Sequence, residues 1–183
     1  MKNQTIMFLL ILIVVLSCKN MTTEPTEVNL LINSTFELNG DSSLYGWIVS
    51  YPSVVQFSND VPSYGSGRSI IFQSWGKSPP LSNSIFAMIP APAGTHIYRL
   101  SIFGKKSGVV GGWVYIGRNL RSAATAEHYS SISVVDSVWT FYSKIDTLTT
   151  DVRDTLFVVI TGGSSCTEWG STHFNTCKFE KLN

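Results

Sequence analysis

The residue types that usually transfer protons in enzymes are scarce in this chain of 183 residues, which has three histidines. Glu127 and His128 are adjacent and could act as an acid–base pair, but no nucleophile in a known activating motif stands beside them. The signatures G-x-S-x-G, H-E-x-x-H and G-x-x-x-x-G-K-[ST] are absent. Paired glycosidase carboxylates have no sequence signature, so the 12 acidic residues leave that alternative open. The sequence therefore predicts a protein that is not an enzyme.

The first 18 residues have the features of an export signal. Lys2 gives a positive start, and residues 6–16 are an unbroken run of 11 apolar residues. This run matches the core of a secretory signal and is shorter than the roughly 20 residues that span a bilayer. Ser17 and Cys18 follow directly and resemble a bacterial lipobox, which implies cleavage before Cys18 and lipid attachment to it. A plain signal peptide with an incidental cysteine is the alternative.

The lipobox resemblance divides the chain into three parts. Residues 1–17 are predicted to be the lipoprotein signal peptide, residues 18–28 the lipidated cysteine with a polar tether, and residues 29–183 a single domain. Lys19 stands where some bacterial lipoproteins carry the Asp that retains them at the inner membrane. The resemblance therefore implies an exported protein that is lipid-anchored to the bacterial envelope, at the outer membrane.

Cys166 and Cys177 remain once Cys18 is assigned to the lipid. In the oxidising compartment that an exported protein enters, an even pair of cysteines predicts a disulfide. Closing a loop of this size stabilises a fold by about 3 kcal/mol. His173 offers two alternatives, a metal pair or a thiolate with its base. Zinc needs three or four ligands and a thiol nucleophile needs an orienting partner, and the sequence nearby provides neither.

Composition and charge restrict the classes of partner. Apolar residues make up 44% of the chain and charged residues 14%, which is enough apolar surface for a core and excludes wholesale disorder. Thirteen basic and 12 acidic residues give a net charge of +1. Proteins that bind nucleic acid usually have a clear basic excess, so a nucleic-acid partner is not expected.

Short apolar and aromatic runs divided by Gly, Pro, Asn and Ser indicate β-strands rather than helices. Strands are predicted at residues 97–103, 112–117, 131–135, 139–143 and 155–161. The run Thr155–Thr161 is apolar on both faces, as expected of a central strand that is buried on both sides. This pattern predicts an all-β fold, an antiparallel β-sandwich or jelly roll.

Four segments of the chain, in order, are similar to the motifs of one known protein family. Asn29–Glu37 with Gly46-Trp47 is similar to the family's opening "N…N-x-x-F-E…G-W". Tyr64–Phe72 is similar to its "G-x-x-S-L" strand, and Ile89–Lys105 to its "I-x-V-x-x-G-x-x-Y-x-L-S-F-x-x-K" segment. Phe174–Phe179 stands where the family often has "F-D-N-V-x-L". Together the four segments resemble CenC-type carbohydrate-binding modules of the family 4/9/22 type. The resemblance implies a galactose-binding-domain-like jelly roll, a fold that hosts sugar binders, protein binders and structural domains.

The same resemblance implies a structural calcium site near the joined ends of the domain. Glu37 matches the glutamate of the opening motif, and Asn175 stands where an aspartate is usual. Calcium prefers six to eight oxygen ligands, including carboxylates. The Asn in place of Asp removes a negative charge and predicts a weaker or empty site. The alternative for Glu37 is an ordinary surface carboxylate.

Aromatic side chains offer flat apolar surfaces to the C–H groups of sugars, and Tyr and Trp add a polar edge. Trp75 and Trp169 lie in polar segments, where loops are exposed. Trp113 and Tyr115 share one strand face, and Arg118 follows at that strand's end. These five residues are the predicted ligand-binding residues. The alternatives are a core position for Trp113 and Tyr115, since large aromatics are mostly buried, and an ion pair for Arg118.

Two other tryptophans are predicted to lie in the core. Trp47 follows Gly46 in the opening motif, and Trp139 alternates with Phe141 along a predicted strand. The sequence as a whole predicts a non-catalytic, lipid-anchored module that binds an oligo- or polysaccharide at the bacterial envelope. A protein-binding adhesin or envelope-assembly lipoprotein with the same fold is the alternative, and a small hydrolase is a more distant one.

Overall fold

The computed structural model describes residues 27–50, 55–65, 67–74, 84–118, 127–163 and 169–182. The described residues form 13 strands in two large sheets and one small hairpin. The six-stranded sheet contains β1 (Val28–Asn29), β5 (Val55–Ser58), β6 (Ser69–Ser74), β8 (Gly94–Gly108), β11 (Thr140–Thr150) and β13 (Gly170–Lys181). The five-stranded sheet contains β4 (Ile48–Val49), β7 (Ser84–Pro90), β9 (Gly112–Arg118), β10 (Glu127–Val134) and β12 (Thr155–Gly162). The hairpin consists of β2 (Glu37–Leu38) and β3 (Asp41–Ser42).

Every strand pairing in these sheets is antiparallel. The six-stranded sheet has the order β11-β8-β13-β6-β5, with β1 paired to β13, and the five-stranded sheet has the order β10-β9-β12-β7-β4. Strands that follow one another in sequence often change sheet, as β6 and β7, β8 and β9, and β12 and β13 do. The predicted antiparallel sandwich is therefore confirmed, and so is the central position of β12, which pairs with β7 and β9. Among the described strands, β11 and β10 each form one edge of a sheet.

The main core lies between the two sheets and follows from the alternation of side chains along each strand. Leu156, Val158 and Ile160 of β12 point into it and are at most 1% exposed. Leu100 and Ile102 of β8 meet them from the other sheet. Burying one such side chain stabilises the fold by about 1.5–3 kcal/mol, so this interior supplies the main driving force for folding. No helix in the described part of the chain is long and apolar enough to cross a membrane.

The two sheets approach closely at one end of the sandwich. Gly112 and Gly162 are cross-strand partners in the five-stranded sheet. A Cβ at Gly162 would lie 2.2 Å from Cβ of Phe72, and a Cβ at Gly112 would lie 2.8 Å from Cζ of Phe174. The two phenylalanines contact each other edge to face, with ring centroids 5.8 Å apart. Glycine is required at both positions because the aromatic pair of the facing sheet occupies the space of any side chain.

The opening segment is fixed by Asn33, which has a φ of 54°. Its Oδ1 accepts a hydrogen bond from the Glu37 backbone at 2.8 Å, and its Nδ2 donates to the carbonyl of Ser43 at 2.8 Å. The indole of Trp47 donates to the carbonyl of Asn33 at 3.2 Å and packs against Phe36, with ring centroids 5.5 Å apart. Both aromatic side chains are buried in the main core. The predicted core position of Trp47 is therefore confirmed.

A bulge in β13 turns Cys177 into the core. The register against β8 shifts between Asn175 and Lys178, and Thr176 has a φ of 46°. The Cys177 side chain is fully buried and its thiol is free in this structure, and the disulfide with Cys166 stays a prediction. Burial raises the pKa of this thiol far above its usual range, so the sulfur is a core group rather than a nucleophile. Cys166 lies outside the described residues, as do the signal peptide and Cys18, so their assignments stay predictions.

Candidate functional site

A second apolar layer covers the outward face of the five-stranded sheet. Phe157 and Val159 of β12 alternate with the core residues and point away from the main core, yet they are only 6% and 1% exposed. Tyr115 of β9 joins them, and Phe86 of β7 packs against the cluster. A sandwich normally presents polar side chains on its outward faces. The outward face of the five-stranded sheet therefore differs from the usual solvated face, because its side chains are apolar and buried.

The strand register makes this layer continuous. Tyr115 lies opposite Val159, and Val159 lies opposite Phe86. Directly opposite side chains in antiparallel strands have Cβ atoms about 4.5–5.5 Å apart, close enough to contact. Phe86 and Phe157 contact each other edge to face, with ring centroids 5.9 Å apart. The three strands β9, β12 and β7 thus share one apolar surface.

Trp113 and Met88 extend the same surface into solvent. Trp113 lies two residues before Tyr115 on β9 and is 44% exposed, and Met88 lies opposite Phe157 and is 56% exposed. We refer to the surface as the aromatic face; it consists of Phe86, Met88, Trp113, Tyr115, Phe157 and Val159. The exposed indole and thioether therefore lie next to the buried members of the same face.

Hydroxyl groups border the aromatic face. Ser133 and Thr161 lie opposite Trp113 on the two neighbouring strands, and Ser131 lies opposite Tyr115. Paired residues of adjacent strands point to the same side of a sheet, so these hydroxyls lie beside the rings. Burial raises the pKa of Tyr115, which keeps its phenol neutral at physiological pH. These positions offer apolar rings and uncharged polar groups.

The five predicted ligand-binding residues do not form one site. Trp113 and Tyr115 share the aromatic face, where Trp113 is exposed and Tyr115 lies largely beneath the surface. Trp169 is 61% exposed and lies at the end of the six-stranded sheet, beside a depression described below. Trp75 lies outside the described residues. The structure therefore places the two described tryptophans at different sheets.

Arg118 lies on the side of β9 opposite to Trp113 and Tyr115. It pairs with Leu156, a core residue of β12, and its guanidinium is 3.3 Å from the carboxylate of Asp154. It also stacks over the ring of Tyr129 at 5.3 Å from the centroid. Arg118 therefore forms the ion pair that was its alternative prediction, and it does not lie on the aromatic face.

The outward face of the six-stranded sheet carries charges instead. The ammonium of Lys105 forms an ion pair with Asp60 and lies over the ring of Trp139, 5.1 Å from its centroid. The indole of Trp139 donates to the same carboxylate at 3.0 Å. These two contacts hold the pKa of Asp60 below its usual range, the hydrogen bond from Lys105 contributing most. The cluster ties the segment around Asp60 to the sheet.

This arrangement corrects the prediction that Trp139, which alternates with Phe141, is a core residue. Trp139 is half-buried on the outward face, and Phe141 is 55% exposed. His173 also lies on this face, where its ring meets Trp139 edge-on at 6.2 Å, while Cys177 lies in the core. The two residues therefore do not form the metal pair or the thiolate–imidazole pair that their spacing allowed.

The predicted calcium ligands have structural contacts of their own. Asn175 is fully buried; its amide donates to the carbonyl of Arg68 at 3.0 Å and its oxygen accepts from the Thr176 hydroxyl at 2.7 Å. The Glu37 backbone is held by Asn33. No group of three His, Cys, Asp or Glu side chains comes together within the described ranges. These contacts explain the Asn without a metal, and calcium binding stays a prediction.

Most residues of the aromatic face belong to no motif that marks a site in the sequence. The run Thr155–Thr161 predicts a strand buried on both sides, which Phe157 and Val159 confirm, but the run alone does not identify the outward layer. In a two-sheet sandwich one side of every strand points away from the main core. In such a strand, an outward side that is as apolar as the inward side is therefore the sequence signal for a second apolar layer. Phe86 and Met88 belong to β7, for which no pattern had been identified.

No protein-family model and no curated protein matches the sequence. Solved structures do resemble the fold. Family 16 carbohydrate-binding module 2 aligns with a TM-score of 0.58 at 17% identity, covering 82% of this chain and 99% of the module. TmCBM61, solved in complex with beta-1,4-galactotriose, aligns at 0.52 and 19%, covering 84% and 99%.

A family 4 carbohydrate-binding module aligns with a TM-score of 0.52 at 14% identity, covering 77% of this chain and 98% of the module. The described chain therefore has the sandwich fold of carbohydrate-binding modules, including a family that the sequence motifs resemble. At these identities the likeness is one of fold, and the ligand has to be argued from the residues of this chain.

Proposed function

We propose that this domain is a non-catalytic module that binds an oligo- or polysaccharide on the aromatic face. The observation that carries the proposal is the exposed indole of Trp113 on an outward apolar face that includes the buried residues Tyr115, Phe157 and Val159. A sugar ring can place its C–H surface against the indole while its hydroxyls reach the bordering serine and threonine side chains. Its place on a paired strand of the sheet, two residues from buried Tyr115, fixes the backbone from which the indole extends.

The chemistry of the lining indicates a neutral glycan. The residues that form and border the aromatic face are apolar, aromatic or hydroxyl-bearing, and the nearby Arg118 is engaged by Asp154. A uronic acid or sulfated sugar would have to be desolvated there without an opposite charge, which is unfavourable. We expect selectivity for uncharged over anionic polysaccharides.

Three of the described carboxylates are engaged by cations, which makes them unsuited to act as a glycosidase pair. Glycosidases use two carboxyl groups that flank the scissile bond. Here Asp60 pairs with Lys105, Asp154 with Arg118, and Glu180 lies 3.7 Å from Arg99. These carboxylates are committed to cations of the scaffold. Incubation with any glycan that binds should therefore release no product, as followed by chromatography of the soluble sugars.

Anchoring through Cys18 is the second part of the proposal. A lipid-anchored module with a short polar tether would hold glycan at the envelope surface. Metabolic labelling with an alkyne-bearing fatty acid tests this part directly. The wild-type chain should be labelled and fractionate with the outer membrane, and Cys18→Ser should lose both properties. Labelling that persists in Cys18→Ser would refute the anchor assignment.

The first experiment on function is a glycan array with the mature chain, residues 18–183 carrying Cys18→Ser. The array should include neutral and anionic polysaccharides, and each run should be repeated with calcium and with a chelator. Selective binding to a neutral class supports the proposal, and loss of binding in chelator would assign calcium a role. A blank array from folded protein would favour the protein-binding alternative, which pull-down of a stoichiometric partner would then test.

A further inference from the structure

A row of polar side chains lies at one end of the outward face of the six-stranded sheet, away from the aromatic face. Ser171 of β13 lies opposite Gln73 of β6 on one side and Ser107 of β8 on the other. Their neighbours Phe72 and Thr172 are buried, so the alternation of the strands points the row outward. With strands about 4.8 Å apart, the row is about 10 Å long, roughly the length of a disaccharide.

The row borders an open depression of about 350 Å³. Its lining consists of Gln73, Ser74, Ser107, Gly108, Trp169, Gly170 and Ser171. Trp169 precedes β13 and is 61% exposed, so an indole stands beside the row. The two glycines have no side chains to fill the space. The volume lies at the lower end of the range for small-molecule sites, which suits one or two sugar rings rather than a long chain.

The groups around the depression are held in place and carry little net charge. Ser171 Oγ and His173 Nε2 are hydrogen-bonded at 3.1 Å, and Gln73 donates to the side chain of Gln56 at 3.1 Å. Burial, together with the charge of Lys105, lowers the pKa of His173, so its ring is neutral at pH 7. Asp60 balances the charge of Lys105. Fixed, neutral hydrogen-bonding groups beside an exposed indole suit a neutral sugar.

We infer that this depression is a second saccharide site, which takes the terminal mono- or disaccharide unit of a neutral glycan independently of the aromatic face. The inference rests on the proposed function, since it assigns a second site to the same class of ligand. The two sites lie on different sheets, one on the outward face of each, so a change in one should leave the other intact.

Calorimetric titration of the mature chain with cellobiose, β-1,4-galactobiose and xylobiose tests the inference, alongside a matching neutral polysaccharide. Trp169→Ala should weaken binding of the preferred disaccharide at least tenfold and leave polysaccharide binding within twofold of wild type. Ser171→Ala should weaken the disaccharide several-fold. Phe141→Ala, which removes an exposed aromatic elsewhere on the same sheet face, is the matched control and should change neither. Trp113→Ala should show the opposite pattern to Trp169→Ala.

The outcomes separate the two proposals. If the polysaccharide binds but no disaccharide does, or if Trp169→Ala and Ser171→Ala leave the disaccharide affinity unchanged, the second site is refuted and the proposed function stands. If Trp113→Ala abolishes disaccharide and polysaccharide binding together, the depression is not an independent site. If folded wild-type protein binds no saccharide of either kind, both proposals fail.

Discussion

On the five-stranded sheet, Phe157 and Val159 point away from the core and are buried all the same, whereas on the six-stranded sheet Phe141 and Ile145 are more than half exposed. The outward face of the five-stranded sheet carries aromatic and aliphatic side chains. The outward face of the six-stranded sheet carries the ion pair of Asp60 with Lys105, which lies over the half-buried Trp139. Both faces belong to one sandwich with one core.

This difference shows how a fold separates two tasks. The ion pair and its neighbours hold a loop against the six-stranded sheet, which needs only local contacts. The second apolar layer goes beyond what a solvated face requires, and it supports an exposed indole. Trp113 and Met88 are the exposed members of this face, and they are the ones that a ligand could contact. The aromatic face of the five-stranded sheet is therefore the better candidate for ligand binding.

The largest expected effect comes from the buried layer itself. Phe157→Ala should lower the free energy of unfolding by about 3 kcal/mol, since it removes a buried aromatic and leaves a cavity. Phe141→Ala should change it by less than about 1 kcal/mol because the ring is exposed. Urea denaturation of both variants measures the contrast. Equal effects would show that the outward layer is not a structural unit and would remove the basis of the comparison.

The next effect concerns binding rather than stability. Trp113→Ala should weaken polysaccharide binding about tenfold, which corresponds to about 1.4 kcal/mol for one lost stacking contact. Its thermal stability should stay close to that of wild type because the ring is 44% exposed. Affinity electrophoresis in a gel containing the polysaccharide is a suitable measurement. If the polysaccharide gel retards Trp113→Ala as strongly as wild type, the ligand binds elsewhere.

On the opposite face, Asp60→Ala removes the partner of both Lys105 and Trp139. We expect a loss of about 1 kcal/mol in the free energy of unfolding, since these contacts are near the surface. Asp60→Asn keeps an acceptor for the indole and should lose less. Glycan binding on the aromatic face should not change in either variant. A binding defect in Asp60→Ala would couple the two faces and contradict their separation.

The smallest effect is a pH dependence assigned to His173. Burial, followed by the charge of Lys105, lowers the pKa of this imidazole in the folded state, so the unfolded chain binds its proton more readily. Stability should therefore be fully present above the unfolded pKa of about 6.5 and decline as pH falls below it. His173→Gln should flatten this part of the profile. Denaturation midpoints measured between pH 7.5 and 5 for both proteins test the assignment, and parallel profiles would reject it.

The sequence was sufficient for the fold because the fold depends on local patterns. Alternation along residues 97–103 and 112–117, and the opening motif around Asn33 and Trp47, each correspond to a feature of the structure. The apolar run of β12 correctly indicated a central strand. Turn residues and strand periods carry this information over a few positions, so no knowledge of distant partners was needed.

The site was less accessible because it depends on which strands become neighbours. Tyr115, Val159 and Phe86 come from three strands, and only their register shows that they form one surface. The same limit explains the error at Trp139, which alternates with Phe141. Their alternation is that of a strand, but a single strand does not reveal which of its two sides meets the other sheet. The choice is made by β8, against which β11 pairs.

The position of β11 at the edge of the six-stranded sheet has a consequence for the protein at high local density. An 11-residue edge strand with exposed Phe141 and Ile145 is a template for pairing with another chain, and such pairing leads to aggregation. Lys144 lies in the middle of this edge, beside Ile145. A charged side chain there opposes the stacking of copies. If the chains are crowded on a membrane surface, the charge of Lys144 therefore opposes pairing between their β11 strands.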